Sequence, residues 1–245
     1  MQLTDEIFQS LRTGKFEDFL DTGADELTSR FRARFVGMGE IEAHDAARNV
    51  VGEAYEETQR LRRPSALLSM RVAYARLVLG AGVLSDPRFP GIAACCERQA
   101  AARRIEDDKS IGELLARMSP YWEHDHLADV RRIGDELLSR PLSDADGWTR
   151  ALDLLATSHR KRGGTAGDAE MRAFINAAYA DAWNLGLQDQ ALIVRHVLIA
   201  EALGLRFFVD PMHPGWMSTY DRADPRRIAS ALNAAFGPET HQREN

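Results

Sequence analysis

A twelve-residue frame, G-x5-D-P-x2-P-G, occurs twice in this chain with no gap needed to superpose the copies. It runs from Gly80 to Gly91 and again, 124 positions later, from Gly204 to Gly215. At the same offset Arg48 meets Arg172, Tyr55 meets Tyr179 and Arg71 meets Arg195, while Ala54, Leu61, Leu68 and Leu79 also meet identical residues. Together with Gly80, Asp86, Pro87, Pro90 and Gly91, twelve positions agree between residues 48 and 92. Unrelated sequence of average composition would give roughly three. A fixed internal period is the mark of a duplicated supersecondary unit. The expected architecture is a tandem duplication of a unit of roughly 120 residues, with units at 1–122 and 123–237 and a polar tail at 238–245.

The chemistry of the frame says what it does locally. Proline holds φ near the helical value and lacks the N–H that a helix start leaves unpaired, so it suits a first helical position. The aspartate before it is driven out of the α region and can accept hydrogen bonds from the freed N–H groups. Gly80 and Gly82 stand where the preceding helix closes. The frame therefore reads as a helix stop, a capped turn and a new start at Pro90 or Pro214. Asp86 and Asp210 serve either as rigid corners or as a ligand-binding pair.

Helical periodicity runs through nearly the whole chain, and no alternating run suggests a sheet, so the class is all-α. Helices are expected over 3–11, 16–20, 25–35, 41–61, 64–84, 92–104 and 110–118 in the first unit. The second is expected to repeat them over 127–138, 147–160, 168–185, 189–207 and 225–236. On the helix beginning at Pro64, Ser65, Ser69 and Arg76 form a polar stripe and Arg71 faces the apolar side. Arg195 occupies the same angle in the second copy, where Asp189, Gln190, His196 and Glu201 mark the polar side. A guanidinium on an apolar face must find partners. An antiparallel hairpin turning at Arg62-Arg63 puts Tyr55 level with Arg71 and Tyr179 level with Arg195, which predicts a Tyr–Arg contact in each unit. Arg48 and Arg172 fall near the open end of each hairpin, towards Asp86 and Asp210, and the expected pairs Arg48–Asp86 and Arg172–Asp210 would hold each unit's corner.

Composition narrows the function classes. Charged residues make up 28% and hydrophobic residues 44% of 245, ordinary values for a soluble globular chain. A net charge of −6 argues against a nucleic-acid binder, which needs a basic balance. Cys95 and Cys96 are adjacent, so they cannot staple a fold, and a reducing cytoplasm is the expected compartment. The start of the chain lacks the basic and apolar regions of a signal peptide, and Arg71 and Arg76 interrupt the longest apolar run, so no membrane partner is expected.

Enzyme signatures are sparse. Walker loop, nucleophile elbow and zinc ribbon are all missing, and no cofactor or metal is expected. His44-Asp45 and His124-Asp125 invite comparison with HD-type metal phosphohydrolases, with Asp129 as a downstream ligand. Yet position 168, which pairs with His44, is an aspartate, as suits a helix start. Glu123-His124-Asp125-His126 lacks the i, i+3 or i+4 spacing that zinc prefers on a helix.

The segment Gly204-Leu205-Arg206-Phe207-Phe208-Val209-Asp210-Pro211-Met212-His213-Pro214 resembles small bacterial helical proteins encoded beside type VI secretion and polymorphic-toxin genes, which carry G-x-x-F-x-x-D-P-x-x-P. The first copy departs from that pattern at Val83. The resemblance implies an immunity or accessory protein and transfers no catalytic residue. Where the first copy has Ile92 and Cys96, the second has Trp216 and Tyr220. Interfaces favour Trp, Tyr and Arg, so His213, Trp216, Tyr220 and Arg222 are the expected contact residues for a protein partner. The alternative is a larger local core.

Overall fold

The computed structural model describes residues 5–62, 65–101, 110–118, 126–139, 145–221 and 224–236. The described residues form eleven α-helices and two short 3-10 turns, and no strand occurs among them. No described helix is long and apolar enough to cross a membrane.

In the first half, α1 (Asp5–Arg30), α2 (Glu40–Thr58), α3 (Ala66–Leu79), α4 (Pro90–Ala101) and α5 (Ser110–Arg117) surround one core. Small residues draw the helices together. The buried face of α2 is Ala43, Ala46, Ala47, Val50, Val51, Ala54 and Thr58, a strict three-and-four spacing that packs on α1 and α3. Ser65 caps α3 by accepting from the Leu68 N–H at 3.1 Å. Three short helices were expected ahead of residue 36. One continuous helix runs through Gly14 and Gly23, followed by a 3-10 turn at Arg32–Phe35. At Gly23 the missing Cβ gives room to Val51 and Met70, so the glycine there serves packing and does not end the helix.

The second half comprises α6 (His126–Leu138), α7 (Ala145–Lys161), α8 (Asp168–Asn184), α9 (Gln190–Leu203), the 3-10 turn Phe207–Val209, α10 (Pro214–Tyr220) and α11 (Pro225–Ala235). Its core runs from Val130 to Leu232. Asp189 caps α9 through the Leu192 N–H at 3.0 Å, and Asp224 caps α11 through the Arg226 N–H at 3.0 Å. Helices α3 and α9 both have 14 residues, and their starts and ends both lie 124 positions apart.

Each half has a central helix with no free side. Helix α3 packs against α1, α2, α4 and α5, and α9 packs against α6, α8, α11 and the second 3-10 turn. Ser69, Arg76, His196 and Glu201, on the polar sides of these two helices, are buried. Ser69 shares a 2.7 Å hydrogen bond with Thr58, and Arg76 pairs with Glu53 and Glu57 on α2. His196 and Glu201 are 0% and 1% exposed.

The halves meet backbone to backbone. Gly80 closes α3 at φ 98° and ψ 164°, and Gly204 closes α9 at φ 96° and ψ 157°. A Cβ on either glycine would lie 2.4 Å from a carbonyl oxygen of the other half, Leu203 O for Gly80 and Leu79 O for Gly204. The Gly82 N–H donates to Leu205 O at 2.9 Å, and the Ala81 N–H donates to Asp210 Oδ2 at 3.0 Å. The residue after each Asp-Pro crosses the seam. Arg88 lies 3.9 Å from the ring centroid of Phe174 on α8, and Met212 joins the first core.

Candidate functional site

The two Asp-Pro corners are structural. Asp86 Oδ1 accepts from the Arg88 N–H at 3.0 Å, and Asp210 Oδ1 accepts from the Met212 N–H at 2.9 Å, each closing the turn before a new helix. Both carboxylates are buried and committed: Asp86 grips the Arg88 guanidinium at 2.6 Å, and Asp210 receives Ala81 from across the seam. Neither corner is open to a ligand.

Four expected pairings are corrected. Arg48 turns away from Asp86 and pairs with Glu17 and Asp21 on α1, because α1 runs unbroken beside α2. Arg172 lies exposed, and Asp210 takes backbone N–H donors in its place. Tyr55 packs on Phe16 and Phe19 of α1, while Arg71 reaches Gln99 Oε1 on α4 at 2.9 Å. Tyr179 lies parallel to Trp183 and edge-on to Trp148, while Arg195 donates to Asn233 Oδ1 on α11. In both halves the arginine finds a neutral amide on a later helix. The tyrosine finds rings, which cost less to bury than a charge.

The expected contact cluster divides. Tyr220 is 4% exposed, and its hydroxyl shares a 3.0 Å hydrogen bond with His196 Nδ1 deep in the second core. Trp216 is half-buried, edge-on to Phe207 at 5.4 Å. These two enlarge the core, filling it where the first copy has smaller side chains, and Tyr220 offers no surface to a partner. His213 is half-buried; burial pushes it below the ordinary imidazole range, with Arg34 acting the same way and Asp210 opposing. Arg222 lies outside the described residues.

Burial also pushes His196 down to about 3, so the folded chain keeps it neutral. An unfolded chain protonates the same imidazole near 6.5. Between those values the unfolded state holds the extra proton, so stability falls as pH falls through that window. From this residue alone, going from pH 7.5 to 5 is expected to cost about 2 kcal/mol. His213 adds in the same direction. His196→Gln, which keeps an acceptor for Tyr220, is expected to flatten the urea-midpoint slope between pH 5 and 6.5. An unchanged slope would remove His196 as its source.

Of the HD-type set, His44 and Asp129 lie among the described residues, in different halves. His44 Nε2 sits 3.6 Å from Asp25 Oδ1 on the first half, and Asp129 lies on α6 in the second. His124 and Asp125 are outside the described residues. No group of three or more His, Cys, Asp or Glu side chains placed to hold a metal occurs among the described residues. Cys95 and Cys96 are buried free thiols, and burial pushes Cys96 up to about 12.

What the fold presents outward is a ridge flanked by two grooves. Helix α10 places Pro214 and Met217 on both. One groove, about 790 Å³, runs between α10 and the start of α2, with Ile41, Pro211 and Met217 as apolar lining and Glu40, Glu42 and Asp45 along one wall. The other, about 590 Å³, lies between α10, the end of α8 and the second 3-10 turn, and includes Leu185, Phe208 and Val209. Ile41, in the groove lining, is 79% exposed. Sequence reasoning named the α10 segment but missed the α2 wall. The available signal was Glu40-Ile41-Glu42, an aliphatic residue between two acids directly after the Gly37-Met38-Gly39 break.

The chain matches no protein-family model, no curated protein and no solved structure.

Proposed function

We propose that this chain is a non-enzymatic binder of another protein, acting in the cytoplasm as an immunity or accessory protein for a secreted, type VI-associated toxin. The observation that carries the reading is the α10 ridge with its two grooves. It is a preformed surface of exposed Ile41 and Val209 around half-buried Met217. Its mechanism is occlusion. A rigid helical face covers the active face of the partner, and little ordering cost opposes binding because the helices are already packed.

We further propose that the frame arose by duplication of a helical unit of roughly 120 residues. Supporting this are the common length and spacing of α3 and α9, the matched caps Ser65 and Asp189, and the reciprocal approach of Gly80 and Gly204. On this reading the shared residues keep the corner and seam. The differing ones, including the α10 segment, carry recognition.

The test is calorimetric titration of the purified chain with the product of a neighbouring toxin gene, paired with growth protection in a bacterial host expressing that toxin. Met217→Glu is expected to weaken binding at least about 30-fold, the effect of losing one central contact, and to remove protection. Absence of both binding and protection would end the reading. A stoichiometric transition metal in the purified protein would instead favour the phosphohydrolase alternative.

A further inference from the structure

We infer that the groove between α2 and α10 takes a basic amphipathic segment of the partner, one whose apolar side chains enter the floor while Lys or Arg side chains meet the α2 wall. This rests on the partner-binding reading and adds the chemistry of what is bound. The wall carries three carboxylates, Glu40, Glu42 and Asp45, all exposed. None of the three holds a hydrogen bond or ion pair among the described residues, and no Lys or Arg lines the groove. The only nearby arginine of α2, Arg48, is drawn to the opposite side by Glu17 and Asp21.

A structural role accounts for only part of the wall. Glu40 and Glu42 stand in the first turn of α2, where negative charge offsets the helix dipole and where Gly39 supplies no capping side chain. Asp45 lies beyond that turn and gains little from it. The three together produce a negative field beside an apolar floor. A cation is attracted there and a second anionic surface is repelled. That excludes nucleic acid and anionic lipid as occupants. It also disfavours a second copy of this chain, since a two-fold contact would set the same acidic wall against itself. Its apolar lining, Ile41, Pro211, Pro214 and Met217, suits the i, i+3 or i+4 anchors of an amphipathic helix.

The experiment uses the full chain and a fluorescein-labelled, 15-residue helix-forming peptide of leucine and lysine, with a leucine–glutamate analogue as control. The lysine peptide is expected to bind with an affinity that falls as salt rises, and the glutamate peptide to bind at least tenfold more weakly. E40K/E42K/D45K is expected to reverse that preference, and Met217→Asp to weaken the lysine peptide at least tenfold. D135K/E136K/D153K, the same charge change on exposed positions of α6 and α7, is expected to leave affinity within twofold. Circular dichroism and melting of each variant establish that it is folded. Equal loss in the two triple variants would reduce the effect to net charge and overturn the proposal. Sedimentation showing a dimer that Met217→Asp dissolves would hand the groove to a second copy and overturn it as well. If the toxin titration succeeds while the lysine peptide fails to bind, the groove assignment falls and the partner-binding reading stands. If both fail, both fall.

Discussion

Gly204→Ala is expected to destabilise the chain by more than about 3 kcal/mol, and Gly80→Ala by a similar amount, although neither substitution removes a single side-chain contact. Two independent costs add. The first is conformational. With φ at 96° and 98° and ψ at 157° and 164°, both residues sit in a region that is essentially reserved for glycine, and forcing an L side chain into it costs about 1–3 kcal/mol. The second is steric. The new methyl would stand 2.4 Å from a carbonyl oxygen and 2.8 Å from the α-carbon of the opposite glycine. Backbone cannot rotate away as a side-chain tip can, so the halves must separate.

Three of the four tryptophans, Trp148, Trp183 and Trp216, belong to the second half, so in a Trp122→Phe background fluorescence follows that half while far-UV circular dichroism follows both. In that background the two signals are expected to melt together, the mark of one cooperative unit. In Gly204→Ala they are expected to part. Gly112→Ala supplies the contrast. Gly112 lies exposed in α5, and a methyl added there would meet nothing within 4 Å. Alanine at that position is expected to stabilise by up to about 1 kcal/mol. Equal effects at positions 112 and 204 would remove the seam from the account of stability.

How much of this was legible in the sequence follows from the range of each interaction. Local chemistry was readable. The starts of α4 and α10 at Pro90 and Pro214 and the Asp224 cap depend on a few adjacent residues, and the motif marked Gly80 as a closing point. The apolar pattern, however, carried the expected helices on to 84 and 207, past the glycines that end α3 and α9. Gly14 and Gly23 misled, because a glycine punctuates a helix only if tertiary packing does not override its low propensity. Gly23 is held inside α1 by Val51 and Met70. The larger miss concerned polarity. Ser69, Arg76, His196 and Glu201 were read only as the polar sides of their helices, with no partner assigned to any of them. In a helix enclosed on all sides, the polar side marks where a buried partner waits, and pattern alone cannot separate such a helix from a surface one.

The candidate site shows the same division. The α10 segment was visible as a local enrichment in aromatic residues, but its rings turned out to serve the core. The exposed ridge belongs to Met217 and Pro214. The opposite wall lies about 170 positions earlier in the chain, beyond any local signal.

Arg88→Ala is expected to cost about 3–5 kcal/mol, the range for removing one partner of a buried ion pair. Arg88 and Asp86 are 2% and 3% exposed, and beyond them lie Glu201 and Arg162 at 1% and 3%. Two cations and two carboxylates thus form a closed group, in which Arg162 holds Glu201 and Arg88 holds Asp86. Arg88 also donates to Glu201 O at 2.9 Å and approaches Ala200 O at 3.4 Å, meeting carbonyls in the last turn of α9. Cations are favoured at that end of a helix. Its guanidinium lies over Phe174, so charge, cap and packing fail together in the alanine variant. Removing Asp86 as well takes away the stranded carboxylate. The double variant Asp86→Ala/Arg88→Ala is therefore expected to be at least about 1 kcal/mol more stable than the sum of the single losses predicts. Additive losses in urea unfolding would mean that the pair contributes only through shape. Because Arg88 comes from the first half and its carbonyl and ring partners from the second, its loss is also expected to separate the fluorescence and dichroism transitions. The position 124 residues later holds Met212, whose apolar chain enters the first core. The seam is thus asymmetric in chemistry even where its backbone is matched: a charged plug crosses one way and an apolar plug the other.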